Sequence, residues 1–206
     1  MAGGHYFRPR RGRPSPSRLI ADHLRGVTVE FYVSGDVFSA DEVDEGTRLL
    51  IEHARVPEEG TVLDMGCGYG AIGITLAKAH PRLRVVMVDV NPRAVALARR
   101  NVRHNRVEDR VTVLHGSLYE PLRGMRFDVI LSNPPLAAGM ETVLGIIRGA
   151  PRHLHPGGTL QLVMRKGWSR ALEEMRKHFN HAEVMLRKKG YTLLYAAEPK
   201  TSTEKQ

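Results

Sequence analysis

The chain has a single cysteine, Cys67, so no disulfide can form within it. That fits a reducing compartment. Nowhere do apolar residues run on for the ~20 positions a bilayer-crossing helix needs. The N-terminal arginines have no apolar stretch behind them of the kind a secretory signal carries. These absences predict a soluble, cytoplasmic protein with no membrane contact. The 10 histidines show no metal-ligand spacing, which predicts no metal, and His153 and His155 read as surface residues flanking a helix end. No internal repeat is visible.

Acidic residues are also in short supply, 22 against 31 lysines and arginines, for a formal charge of +9 and a pI near 10.0. Such a balance steers a protein toward polyanions without choosing one. Residues 1–18 carry Arg8, Arg10, Arg11, Arg13 and Arg18 and no acid. A second basic segment, 165–189, holds Arg165, Lys166, Arg170, Arg176, Lys177, Arg187, Lys188 and Lys189 against Glu173, Glu174 and Glu183. Two such segments flanking one domain predict nucleic-acid contact. The plainer alternative is a solvated tail and an ordinary basic helix face.

A length of 206 residues implies one domain with a short appendage. Residues 1–18 are too poor in apolar side chains to fold alone and read as a flexible basic tail. An N-terminal extension follows over 19–58, then the main domain over 59–198 and a polar tail over 199–206. In the extension, Val27–Val33 alternates like a strand and Ser34-Gly35-Asp36 is a turn signal. Asp44–Ala54 has helical apolar spacing, with Asp44 placed to cap it and Thr47 in its first turn. Phe38, between them, is either core or a wall of the active site.

From Thr61 the pattern becomes strand–helix–strand. Strands are expected near 61–64, 83–89, 111–115, 127–132, 159–164, 182–186 and 191–196, and helices over 71–80, 91–103, 139–153 and 168–179. Pro156-Gly157-Gly158 reads as a turn into the fifth of these strands. Such alternation argues for an α/β fold with a parallel sheet covered by helices on both faces.

Between the first strand and its helix runs Asp64-Met65-Gly66-Cys67-Gly68-Tyr69-Gly70-Ala71. Glycines there let the backbone approach a ligand at the helix N-terminus. The spacing also fits the dinucleotide pattern, so the glycines alone leave the cofactor open. Asp64 discriminates. A carboxylate two places before the first glycine repels a pyrophosphate and attracts an ammonium, which S-adenosylmethionine carries. Asp89, ending the second strand beside Val90, can accept from both ribose hydroxyls. Cys67 and Tyr69 read as turn-packing residues rather than catalysts.

Ser132-Asn133-Pro134-Pro135-Leu136 follows the strand at 127–132 directly. Two prolines fix the backbone and remove its donors. The corner therefore presents acceptors, the Asn133 side-chain oxygen and the Pro134 carbonyl. Two acceptors suit an amino group bearing two hydrogens, and positioning then supplies much of the rate of methyl transfer. In the C-terminal half, Lys166-Gly167-Trp168 follows a strand. Trp168 is either a helix-packing residue or a platform for a base.

These residues resemble the class I S-adenosylmethionine-dependent methyltransferases over roughly residues 28–198. The resemblance implies a Rossmann-like, mainly parallel seven-stranded sheet, here with a short N-terminal β/α extension. It places Asp64 near the methionine end of the cofactor and Asp89 on its ribose. Gly116-Ser117-Leu118 stands where relatives commonly carry Gly-Asp-Leu, which implies an adenine contact for Ser117. The cofactor wall is thus expected to comprise Asp64, Gly66, Cys67, Gly68, Tyr69, Gly70, Asp89, Val90, Ser117, Leu118 and Asn133, with Asn133, Pro134 and Pro135 catalytic. Leu136 replaces the aromatic that stacks on the target base in amino-methylating relatives.

Gly35-Asp36-Val37-Phe38-Ser39 and Asp44-Glu45-Gly46-Thr47 resemble a stretch of the small-domain rRNA guanine-N2 methyltransferases and their single-domain archaeal relatives, with Asp36 inserted. This implies substrate contacts for Phe38, Asp44, Thr47 and Leu136, and RNA, from the small ribosomal subunit, as the partner. Methylation of adenine or of a protein glutamine, and a non-catalytic RNA-binding factor with a vestigial cofactor fold, remain alternatives. A dehydrogenase has no use for Asp64 or the Asn-Pro-Pro corner. Nothing in the sequence fixes the oligomeric state.

Overall fold

In the computed structural model, which describes residues 17–35, 42–135 and 139–200, one sheet divides the core in two. Its strands are β3 (Glu59–Met65), β4 (Arg82–Asp89), β5 (Val111–His115), β6 (Phe127–Ser132), β7 (Leu154–Met164), β8 (Phe179–Lys188) and β9 (Tyr191–Pro199). Their order is β5-β4-β3-β6-β7-β9-β8. The first five strands in that order pair in parallel, and β9 pairs antiparallel with both β7 and β8. This is the Rossmann-like methyltransferase sheet that the resemblance implied.

Successive side chains point to opposite faces of a strand. Val62, Val85, Met87, Val129 and Leu131 accordingly enter one apolar cluster, while Leu63, Val88 and Ile130 enter another. The first is roofed by α2 (Ala71–Ala79) and α3 (Pro92–His104) and by α1 (Glu45–His53) of the extension. The second lies under α4 (Gly139–His153) and α5 (Trp168–His178). Residues buried on both faces explain why the central strands read as near-continuous apolar runs.

A two-stranded antiparallel hairpin, β1 (Arg18–Leu24) and β2 (Val27–Val33), precedes α1. Only β2 was legible as a strand. β1 begins at Arg18, where the sequence reads as the end of the flexible tail. Arg25 and Gly26 make the turn with φ of 48° and 77°, the consecutive left-handed geometry that matches strand twist. The Arg25 guanidinium then donates to Ile51 O and Ala54 O, at 2.7 and 3.1 Å, around the end of α1. Helix-end carbonyls lack intrahelical donors, so this side chain satisfies them.

β2 uses α3 in place of a second strand neighbour. Asn101 accepts from Tyr32 N and donates to Tyr32 O, while Asn105 accepts from Glu30 N and donates to Glu30 O. The Asn101 amide also donates to Tyr69 O in the glycine turn, at 2.9 Å. The hairpin is thus bolted to the turn that follows β3.

Two expectations need correction. Pro156-Gly157-Gly158 does not precede the strand but lies within β7, where the ladder to β6 jumps from Phe127↔Leu154 to Val129↔Thr159. A bulge accommodates these residues because they need no ladder partner. His153 is not a free surface residue. It is half-buried and stacks on Tyr119 with ring centroids 4.6 Å apart.

Candidate active site

Chain connections run outward from β3 to β4 and β5 on one side, and to β6 and β7 on the other. The reversal at β3/β6 opens a crevice at the carboxyl ends of these strands, where doubly wound sheets take ligands. Both motifs singled out in the sequence lie there.

Gly66 N and Cys67 N both donate to Val88 O, which closes the turn onto the end of β4. Gly66 and Gly68 adopt φ of 76° and 57°, and a Cβ built on either would meet nothing within 4 Å. Left-handed backbone with open space before it is a cradle for a ligand that approaches the main chain. Asp89 Oδ2 accepts from Gly68 N and its Oδ1 from Asn91 N, each at 2.8 Å. Each oxygen keeps a lone pair for a hydroxyl. Burial pushes the Asp89 carboxyl above its ordinary range.

Asp64 lies wholly buried beneath the turn. Its Oδ2 accepts from Gly73 N of α2 at 3.0 Å, while Oδ1 has no partner. Burial is the main force raising the carboxyl to about 7, and the nearby Asp89 charge adds to it. A buried acceptor without a partner costs free energy until a donor arrives. The open glycine cradle, the orphan oxygen and the Asp89 carboxylate together fit an ammonium-bearing cofactor with a ribose.

Cys67 is buried and its thiol is pushed well up by burial, which makes it a poor nucleophile. Tyr69 is buried with its ring tilted against Phe31 of β2, centroids 5.4 Å apart. Both pack the turn through their side chains. Val90 O lies 3.1 Å from His115 Nε2. Ser117 is exposed beyond β5, held through its backbone N to Glu120 Oε2 at 3.3 Å. Leu118, at φ 49°, turns inward onto the second apolar cluster.

Asn133 follows β6. Ser132, fully buried, ties the end of β6 to β3 by donating to Met65 O at 2.7 Å. The Asn133 amide nitrogen donates to Thr47 Oγ1 at 2.8 Å and lies 3.3 Å from both oxygens of Asp44. Asp44 Oδ1 in turn caps α1, accepting from Gly46 N and Thr47 N. A carboxylate only accepts, so it fixes which end of the amide faces it. The planar amide then directs Asn133 Oδ1 away from α1. Asp44 and Thr47 therefore hold Asn133, a role the sequence did not distinguish from substrate contact. Phe38 and Leu136 lie outside the described residues.

Beyond Pro134 and Pro135 a cavity of about 350 Å³ opens between α4 and the end of β7. Met140, Val143, Met164, Arg165, Lys166 and Gly167 complete its lining. Lys166-Gly167-Trp168 is visible in the sequence after a strand, but its closeness to the Asn-Pro-Pro corner is not. Among the described residues no group of His, Cys, Asp or Glu could hold a metal ion. No described helix is long and apolar enough to cross a membrane.

Fold and cradle together define a class I S-adenosylmethionine-dependent methyltransferase. The chain belongs to the methyltransferase small domain family, whose profile matches residues 28–195. It is 36% identical over 196 residues to the uncharacterized protein YbxB of Bacillus subtilis, covering 93% of this chain and 97% of that one. It is 40% identical over 131 residues to ribosomal RNA small subunit methyltransferase C of Photorhabdus laumondii, covering 62% of this chain and 38% of the relative. Among solved structures, the T. thermophilus 16S rRNA N2 G1207 methyltransferase RsmC, in complex with AdoMet and guanosine, superposes with a TM-score of 0.80. Identity there is 28%, over 90% of this chain and 51% of that one. A methyltransferase from Pyrococcus furiosus shares the fold, with a TM-score of 0.67 at 22% identity over 80% of this chain and 89% of its own. The chain thus spans about 40% or half of the length of the rRNA-modifying relatives, and nearly all of the uncharacterized one.

Proposed function

We propose that the protein transfers a methyl group from S-adenosylmethionine to an exocyclic amino nitrogen, guanine N2 in small-subunit ribosomal RNA. The observation that carries this reading is the fixed orientation of Asn133. With its amide nitrogen engaged by Thr47 and Asp44, its Oδ1 and the Pro134 carbonyl are left as an acceptor pair for an NH2 group. Holding both hydrogens turns the nitrogen lone pair, otherwise delocalised into the base, toward the incoming carbon. The cofactor supplies a methyl on a sulfonium. As the N–C bond forms, the S–C bond breaks and the spare amine proton passes to solvent. Positioning rather than covalent catalysis supplies the rate.

The names of the ribosomal RNA relatives support the target class, and the basic charge supports a polyanionic partner. An enzyme with that substrate works in the cytoplasm. The test is incubation with labelled cofactor and small-subunit RNA, followed by nuclease or protease digestion and nucleoside mass spectrometry. Label in N2-methylguanosine is the expected result, lost in Asn133→Ala with cofactor binding retained. Label in protein or in adenosine, or full activity of Asn133→Ala, overturns the reading.

A further inference from the structure

The cavity beside the Asn133–Pro134 corner carries charge that methyl transfer itself does not require. We infer that this cavity seats the target nucleotide, with Arg165 and Lys166 gripping its phosphate while the base lies over Met140, Val143 and Met164. The inference rests on the proposed function and narrows it, because a peptide amide would need neither cation.

The floor is apolar. Pro134, Pro135, Met140, Val143 and Met164 offer hydrocarbon and thioether surface. Methionine sulfur is polarisable and makes favourable contacts with aromatic rings. The volume of about 350 Å³ falls in the range of small-molecule sites, roughly 300–1,000 Å³. Glycine at 167 keeps it open, since a Cβ there would come within 2.3 Å of Met140 Cε. Gly167 also takes φ 74°, the left-handed turn that starts α5 directly after the two cations.

Only part of the surrounding basic surface is neutralised, and among the described residues Arg176, Arg187 and Lys188 form no ion pair. Arg148 pairs with Glu174 and Glu141, Arg170 with Glu141, Lys177 with Glu174 and Lys189 with Glu45. Arg187 lies over the Trp168 ring at 4.1 Å. Among the described residues Arg165 and Lys166 form no ion pair. Arg165 rests instead 5.9 Å from the centre of the Tyr191 ring. Both are exposed at the rim. Two unneutralised cations above an apolar slot complement a heterocycle joined to a phosphodiester, the chemistry of an RNA nucleotide turned out of its stack.

The experiment compares the wild-type chain with R165Q/K166Q. Methylation of protein-free small-subunit RNA is measured at saturating cofactor, and cofactor binding by calorimetry. R82Q/R84Q removes the same charge at the start of β4, the opposite end of the strands, and serves as the control. We expect the RNA KM of R165Q/K166Q to rise about tenfold or more, with kcat and cofactor Kd within about twofold. The salt dependence of log KM should fall by about one per lost phosphate contact. The control should stay within about twofold, and the charge-preserving R165K/K166R should recover most of the loss. An unchanged RNA KM in R165Q/K166Q, or an equal rise in R82Q/R84Q, overturns the phosphate grip while leaving the proposed function standing. Failure of the wild-type chain to methylate any RNA removes the proposed function, and the grip with it.

Discussion

The amide nitrogen of Asn133 donates to the hydroxyl of Thr47, 2.8 Å away in space and 86 residues earlier in the chain. Through this bond the N-terminal extension reaches the corner where transfer is proposed to occur. Thr47→Val keeps the shape of the side chain and removes the acceptor. The amide would then lose its shortest hydrogen bond and be held only by the longer contacts to Asp44, which leaves Oδ1 less firmly positioned. We expect kcat to fall about tenfold, equivalent to roughly 1.4 kcal/mol of transition-state stabilisation, with cofactor Kd unchanged. Thr47→Ser, which restores the hydroxyl, should recover most of the rate. A normal kcat in Thr47→Val, measured by single-turnover methylation, would show that Asn133 needs no such support.

Gly46 supports the same arrangement from behind. A Cβ on Gly46 would lie 2.6 Å from Tyr191 Cε1 and 2.9 Å from Cδ1. The first turn of α1, carrying Asp44 and Thr47, therefore sits flush on an aromatic ring. Gly46→Ala should cost about 1–3 kcal/mol of stability through overpacking and lower activity by displacing Asp44 and Thr47. Tyr191→Ala in the same chain should relieve the clash, so that the two changes together cost less than their sum. Thermal unfolding of the four chains checks this, and additive losses would locate the defect elsewhere.

Much of this architecture was open to view in the residues. Burial on both faces wrote β3, β6 and the end of β7 as apolar runs, and Asn91 with Pro92 marked the start of α3, where Asn91 Oδ1 accepts from Arg93 N at 3.0 Å. Asp64, Asp89 and Asn133 were identifiable because local spacing placed them at strand ends. What stayed hidden depends on distant partners. β1 was invisible because the first residue of its turn, ahead of Gly26, is Arg25 in a left-handed conformation, where glycine, asparagine or aspartate is the usual signal. The bond from Ser132 to Met65 and the grip of Thr47 on Asn133 join segments far apart in the chain, which periodicity does not register. The cavity behind Pro135 arises from α4 meeting the end of β7, a tertiary event with no local signature.

Asn101 is a further residue whose role is tertiary. It is fully buried and its amide serves Tyr32 N, Tyr32 O and Tyr69 O at once. Asn101→Ala would leave these backbone groups without partners, each at about 1–3 kcal/mol if it stays dry. We expect a substantial loss of thermal stability, with protection of the β1–β2 hairpin lost first in hydrogen exchange. Cofactor affinity should fall as well, since Tyr69 belongs to the glycine turn. Intact hairpin protection in this variant would mean that the Asn105 pair alone holds β2 to α3.

Asp64 is expected to make both folding and cofactor binding depend on pH. Its carboxyl titrates near 7 in the folded chain against an ordinary 3.8, so folding retains a proton between those values. A raised carboxyl stabilises fully below its unfolded value, and that contribution is lost as pH climbs through about 7. Without cofactor the chain should therefore lose stability from about pH 4 toward neutrality on account of this group. An ammonium placed against Asp64 Oδ1 favours the ionised form, so binding below about pH 7 expels a proton. Affinity should rise up to about tenfold per pH unit on approaching neutrality, then fall near pH 8 as the α-amino group of the cofactor deprotonates. Calorimetry at about pH 6 in buffers of different ionisation enthalpy counts that proton. Asp64→Asn should abolish the release and flatten the acid arm. A binding enthalpy independent of buffer in the wild-type chain would detach Asp64 from the ammonium and leave it a purely structural carboxyl bound to Gly73.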